Sequence, residues 1–409
     1  MRYLLVLHVI AGLLLPIAGR AQVLFLGVKA PVGSGFNTPY GTAVDSNGNV
    51  FVADYSNQAI YEIVASNGIV SSASTVVTLA APSGGYSQPV GVAVDKFGDV
   101  FVADAGTANA VDEIVAVNGV VNGSSVVNKL AGLPVFSYPN DLAVDVDGSG
   151  NLFIVYPQYQ VVLEIVASGG VISPTSPIVA LPAPSGGGLQ PSGIAVDGSG
   201  DVFVADQGRN ALYEIPVAGG YTTVNTIDTS TVGAATLAAD RHGNVFFIGN
   251  FGTVLYEIPA SGNYTTVDLL AVGFSGGNYF GMAADGHGKI FVADAANAIV
   301  DEVALDRVNF GSQTIGSTSQ TIAIPFNVGL TGPTTVSKIS ILTTGVAGKD
   351  FADAGSSSCI ATTYFNSTNC VVNVSFAPVA SGLRRGAVVF YDGSGNVLAT
   401  VPISGVGTG

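Results

Sequence analysis

Tryptophan is absent from this 409-residue chain, and methionine, cysteine and histidine occur only 2, 2 and 3 times. Lysine and arginine together number 13 against 28 acids, and charged residues make up just 10% of the chain. Lys, Glu, Arg and Met are strong helix formers, so their scarcity argues for an all-β protein. The net charge of −15 works against nucleic acid or an anionic membrane surface as a partner. No Gly-x-Ser-x-Gly elbow, phosphate-binding loop or dinucleotide fingerprint stands in the strand-to-helix setting its chemistry needs. Beyond residue 21 no apolar run is long enough to span a bilayer.

What is abundant is apolar side chains, at 48%, and glycine, at 54 residues. That combination suits many short strands joined by tight turns. The length allows two or three domains. Residues 1–21 read as an export signal. Arg2 gives the positive start, Leu4 to Leu15 the apolar run, Pro16 the break, and Gly19 and Ala21 the small pair before a cut at Gln22. Retention as an N-terminal anchor is the rival reading. Cleavage removes Arg2 and Arg20 and no acid, moving the net charge from −15 to −17. The expected location is secreted, periplasmic or on the cell surface, with no membrane span once the signal is gone.

One sentence is written six times. Its anchors are Ala43-Val-Asp45, Ala93-Val-Asp95, Ala143-Val-Asp145, Ala195-Val-Asp197, Ala238-Ala-Asp240 and Ala283-Ala-Asp285, spaced 50, 50, 52, 43 and 45 residues apart. A multi-strand unit repeating at this period predicts a β-propeller. Each copy reads as a small-residue inner strand, a glycine turn, a Val-Phe-Val-Ala-type strand, a polar loop, a strand ending in Glu-Ile or Glu-Val, and an outer strand. After the sixth Glu-Val303 no outer strand remains. Residues 23–26 form an orphan apolar strand before the first copy, so they are expected to complete the sixth blade outside residues 299–303. The fold class predicted is all-β: a six-bladed propeller closed by an N-terminal strand over residues 22–305, then a sandwich over 306–409.

The repeated residues resemble the NHL repeat, with Gly-Val-Ala-Val-Asp95, a glycine turn, Val-Phe-Val-Ala-Asp104 and a following polar loop. The likeness is clear in the first, second, fourth and sixth copies. It weakens in the third, where two extra residues enter the turn and Tyr156 replaces the second Asp, and in the fifth, where Gly249 does so. Repeats of the WD type require the missing tryptophan. From residue 306 the alternating runs, the Val308-Asn-Phe-Gly start and Cys370-Val-Val-Asn-Val-Ser-Phe resemble immunoglobulin-like modules of the ASPM–SPD-2–Hydin type, appended to exported bacterial repeat proteins. Cys359 and Cys370 both lie there, an even count that in an exported protein suggests a disulfide.

Candidate chemistry is thin. The second repeat Asp (Asp54, Asp104, Asp206, Asp294) can gather a cation, but bonding to its own turn is the preferred reading. The first Asp of each copy is read the same way. The strand-three Glu (Glu62, Glu113, Glu164, Glu214, Glu257, Glu302) is expected to bind a partner across blades. Lyases of this propeller family rely on His and acids at the channel, but His242 and His287 fall in turns on the opposite face. Sugar-lactonase-like propellers hold a divalent ion with acids, and Asp141 is the nearest unrepeated candidate. Asp145 to Asn151 has the start of a calcium loop without its closing Glu. No cofactor is expected, with calcium or another divalent ion as a weak option.

The loops between strands two and three differ most between copies, and they carry aromatic and amide groups. Together with the connections between copies on the same rim, which supply Tyr138 and Tyr279, they name the candidate partner-binding set: Tyr55, Asn57, Asn109, Tyr138, Tyr159, Arg209, Asn210, Phe251, Tyr279 and Asn297. The function expected is a non-enzymatic, monomeric binding protein that presents this rim to a protein or glycan. The alternative is a divalent-metal-dependent lyase or lactonase-like enzyme.

Overall fold

A computed structural model describes residues 23–106, 110–130, 143–184, 190–228, 236–249, 252–272, 274, 279–344 and 350–409. The fold is all-β; the only helical elements among the described residues are the single turns Pro157–Tyr159 and Ala260–Gly262. No helix among them is long and apolar enough to cross a membrane. Residues 1–21, read as a signal, lie outside the described residues.

The chain divides into two units, one of Leu26–Asp306 and one that joins Arg307–Gly409 to the residues before Leu26. In the first unit the described strands make six four-stranded antiparallel sheets. The fourth sheet shows the pattern: Pro191–Val196, Val202–Asp206, Ala211–Ile215 and Asn225–Asp228, in that order from inside to outside. Innermost strands of successive sheets touch in cyclic order, and Tyr279–Ala284 of the sixth meets Pro39–Val44 of the first. Glycine permits this approach. A Cβ on Gly41 would stand 2.8 Å from the Val90 carbonyl oxygen, and one on Gly281 2.5 Å from that of Tyr40. The turn after each inner strand carries a glycine at positive φ: Gly48, Gly98, Gly150, Gly200, Gly243 and Gly288, between 83° and 93°.

Strand two is the buried centre of every sheet. Its alternate residues pack into the slots between neighbouring sheets, as with Phe153 and Val155 against Val202 and Val204. A phenylalanine of strand two always faces the glutamate of strand three: Phe51 with Glu62, Phe101 with Glu113, Phe153 with Glu164, Phe203 with Glu214, Phe246 with Glu257 and Phe291 with Glu302.

Two expectations are corrected. The strand that completes the sixth sheet is Val28–Val32, paired with Ile299–Ala304 from Val28 opposite Ala304 to Val32 opposite Val300. The apolar residues 23–26 do not fill that place. Val23–Phe25 instead pairs with Ile322–Val328 in the second unit. An outer edge strand faces water on one side, so it tolerates Lys29 and Pro31. The fully apolar Val-Leu-Phe goes where there is a core: Val23 is buried, and the Phe25 ring lies 6.0 Å from that of Phe326. Lys29 makes an ion pair of 3.1 Å with the buried Asp301 of the neighbouring strand.

The second correction concerns the third repeat. The turn aspartate there is Asp147, not Asp145: the Asp147 carboxylate accepts the backbone N–H of Ser149 and Asn151, both at 2.8 Å. Asp45 does the same for Asn47 and Asn49. The two extra residues therefore precede the turn, and Asp145 sits opposite Phe153, where the first sheet has Ala43 opposite Phe51.

The second unit packs two four-stranded sheets. One is Val23–Phe25, Ile322–Val328, Thr368–Phe376 and Phe351–Asp353; the other is Val308–Thr314, Val397–Thr408, Gly382–Tyr391 and Lys338–Thr344. Thr368–Phe376 alternates strictly, with Cys370, Val372, Val374 and Phe376 buried. Phe326 and Phe390 meet across the sheets at 4.5 Å. Asp350 and Arg384 form a buried pair, with Nε and Nη2 both donating to Oδ2 at 2.9 and 2.7 Å. Cys359 and Cys370 are joined in a disulfide.

Candidate binding rim

The loops between strands two and three begin at a fully buried aspartate in four sheets: Asp54, Asp104, Asp206 and Asp294. Asp54 accepts the backbone N–H of Asn37 at 2.8 Å, of Thr38 at 3.0 Å and of Asn57 at 3.2 Å. Asp104 accepts those of Ser87, Gln88 and Gly106, and Asp206 those of Gln190 and Gly208. Each carboxylate thus ties its loop to the incoming connection or to itself, which satisfies amides that would otherwise be buried without partners. The loops after Asp54, Asp206 and Asp294, and the third sheet's loop after Tyr156, close on a left-handed residue: Gln58, Asn210, Ala298 and Gln160, with φ between 49° and 56°.

The candidate residues fall into two groups. Asn57 and Asn297 serve the loop itself: each side-chain amide donates to its own aspartate, at 2.9 and 2.8 Å, and Asn57 also reaches the Gly35 carbonyl. Arg209 leans over its own sheet, with Nη1 donating to the Tyr213 hydroxyl at 3.3 Å and Nε lying 3.8 Å from Asp206. Asn210 is exposed at the loop's left-handed corner. Tyr55 stacks on Tyr40, with ring centroids 5.0 Å apart and planes at 24°. Tyr159 is 50% exposed and tilts against the buried Tyr156 at 6.4 Å. Asn109, Tyr138 and Phe251 lie outside the described residues, as does the side chain of Tyr279; its backbone opens the innermost strand of the sixth sheet.

Tyr40 and Tyr55 of the first sheet both pack against the apolar cluster of sheets two and three that contains Tyr156. Tyr40 and Tyr55 form one aromatic pair and Tyr156 and Tyr159 a second. Sequence reasoning missed Tyr40 and Tyr156 as members of these pairs. The signal available was that Tyr156 stands where four other copies have an aspartate.

The remaining candidates take structural places. Glu113, Glu214 and Glu302 bind Asn128, Asn225 and Lys289 at 3.0, 2.8 and 2.8 Å. All three partners lie in the glutamate's own sheet, which corrects the expectation of pairing across sheets. His242 and His287 are exposed turn residues whose backbone N–H groups bond Asp240 and Asp285. Asp141 lies outside the described residues. The unrepeated acid that the structure does place on an inner strand is Asp145. Its Oδ2 accepts the N–H of Val196 in the next sheet at 2.8 Å, and its Oδ1 that of Val146. Burial nevertheless pushes its carboxyl up to about 6. Among the described residues no three His, Cys, Asp or Glu side chains gather as a metal site.

The profile of the NHL repeat matches residues 36–60. No protein of curated function matches the sequence. Solved structures similar to this chain include virginiamycin B lyase from Staphylococcus aureus, 12% identical, with 68% of this chain and 98% of that one covered and a TM-score of 0.46. A gluconolactonase from Xanthomonas campestris is 14% identical, with coverages of 70% and 90% and a TM-score of 0.46. The calcium-binding protein regucalcin from Agrobacterium tumefaciens is 14% identical, with coverages of 69% and 94% and a TM-score of 0.45.

Proposed function

We propose that this is an exported, monomeric binding protein. In this reading Leu26–Asp306 is a six-bladed NHL-type propeller, and the second unit is an immunoglobulin-like sandwich. The rim of strand-two to strand-three loops takes a protein or glycan partner. The observation that carries the reading is the Tyr40–Tyr55 stack on an apolar base, together with Tyr159, half-exposed beside Tyr156 in a loop between strands two and three. Rigid aromatic faces beside polar loops lose little entropy on binding and suit a sugar ring or a peptide side chain. The test is a glycan and peptide array probed with the wild-type chain and with a Tyr55→Ala, Tyr159→Ala double variant. The expected result is a ligand set held by the wild type and lost by the variant. Retention of the same set by the variant sinks the rim assignment.

The second reading, a divalent-metal-dependent lyase or lactonase-like enzyme, is favoured by one observation: Asp145, an unrepeated acid on an inner strand. Metal analysis of the purified chain and of Asp145→Asn tests it. A stoichiometric ion lost in the variant would promote this reading over the first.

A further inference from the structure

The second unit holds a cleft of about 240 Å³, lined chiefly by Ile339, Ile341, Phe351, Asp353, Cys359 and Val372. It lies where both sheets end. Lys338–Thr344 pairs only with Gly382–Tyr391, and Phe351–Asp353 only with Thr368–Phe376, among the described residues. The strand Lys338–Thr344 is guarded only at its ends, by the exposed Lys338 at its start and by the N–H groups of Asp350 and Phe351, which donate to Thr343 Oγ1. It keeps an unbroken seven-residue register from Lys338 opposite Tyr391 to Thr344 opposite Arg385, and it contains no proline or bulge. Ile339 and Ile341 line the cleft yet stay half-buried, so their apolar surface is only partly covered. An edge of this kind is a template for another strand.

Size decides what fits. Pockets for drug-sized ligands run to roughly 300–1,000 Å³, so this cleft has room for one or two aliphatic side chains rather than a drug-sized molecule. Charge narrows the choice. Asp353 is the single charged group of the lining, and it is exposed. Its Oδ1 is held by the N–H of Gly355 at 2.9 Å and the hydroxyl of Ser357 at 3.0 Å. A fixed carboxylate beside Ile339 and Ile341 favours a basic residue next to apolar ones. Strand addition already occurs in this unit: Val23–Phe25, remote in sequence, completes one sheet by pairing with Ile322–Val328.

We propose that Lys338–Thr344 is a docking edge for an extended peptide, which adds as a strand, seats alternate β-branched side chains in the cleft and pairs a lysine or arginine with Asp353. Backbone hydrogen bonds supply affinity and the cleft supplies selectivity, the division of labour of β-strand addition. This site is independent of the tyrosine rim.

The test uses the full chain and a fluorescein-labelled peptide of alternating Val and Thr that begins with Lys, followed by anisotropy. Saturable binding is expected, weakened at least about tenfold by Ile341→Asp and by N-methylation of alternate peptide amides. Asp353→Asn should weaken the Lys peptide and leave a norleucine-for-Lys peptide unchanged. The proposal is overturned by absence of saturation at about 1 mM peptide, or by binding that survives N-methylation. The N-methylated peptide needs no variant, so the outcome does not depend on Ile341→Asp folding.

Discussion

Asp54, Asp104, Asp206 and Asp294 show how a recurring carboxylate is consumed by the fold. Each is fully buried, and Asp54 accepts three backbone N–H groups besides the Asn57 amide. An Asp54→Ala change leaves those amides without acceptors, so it should cost at least about 3 kcal/mol in denaturant unfolding. Lys29 and Asp301 make the same point for an ion pair. Asp301 is 1% exposed, and its carboxyl is raised by burial while Lys29 pulls it down. Lys29→Met removes the counter-charge and is expected to cost about 3 kcal/mol, whereas Lys29→Met with Asp301→Leu should recover most of that loss. A double variant no more stable than the single one would show that Lys29 contributes by packing alone, over the Phe274 ring 5.0 Å away. These partners were not legible in the sequence, because Lys29 and Asp301 are separated by most of the first unit.

At the scale of elements, two neighbouring segments exchange the roles their hydrophobicity suggests. Residues 23–25 read as the better strand, and residues 28–32, with a lysine and a proline, as a connection. Between them Gly27 takes φ of +61°, and a Cβ there would meet Val303 Cγ1 at 2.9 Å. Gly27→Val should therefore destabilise by about 1–3 kcal/mol, measured by urea unfolding of the full chain. A neutral effect would mean that the strand Val28–Val32 is not held in the register described. The disulfide closes a loop with a sequence separation of 11 residues. Replacing both cysteines by serine is expected to cost about 2–3 kcal/mol, seen as loss of stability in non-reducing unfolding and no loss under reductant. The third repeat was misread for a related reason. Ala143-Val-Asp145 repeats the motif in letters, but hydrogen bonding at Asp147 decides which aspartate turns the chain.

Over the whole molecule, burial of acids sets the pH response. Glu257 is pushed up to about 7, first by burial and then by Asp268 and Asp240. Asp112 rises to about 6 through burial and Asp104, against the pull of Lys129. Glu62, Glu113, Glu164 and Glu302 move the same way, with burial the largest cause in each. A raised native value means that the folded chain binds more protons than the unfolded one between the two pKa values, so stability falls as pH rises through that window. The melting temperature should be higher near about pH 5 than near about pH 8. Glu257→Gln should flatten that slope and stabilise at the upper end by about 1–2 kcal/mol, allowing for solvent screening. A melting temperature that rises with pH over this range would contradict the burial of these groups.

The sequence by itself determined the all-β class, the number of copies of the repeat, the glycine at each turn and the change of composition near residue 306. Each of these is local: periodicity, turn chemistry and strand patterning act within a few residues, and six copies restate them. Tertiary structure alone decided which N-terminal strand completes the sixth sheet, which aspartate turns the third repeat, and where Tyr40 and Tyr55 find their apolar base. It also decided that Asp353 and two half-buried isoleucines share a cleft at an open edge. Those outcomes depend on which distant groups share burial, and burial is a property of the assembled sheets rather than of any one stretch of chain.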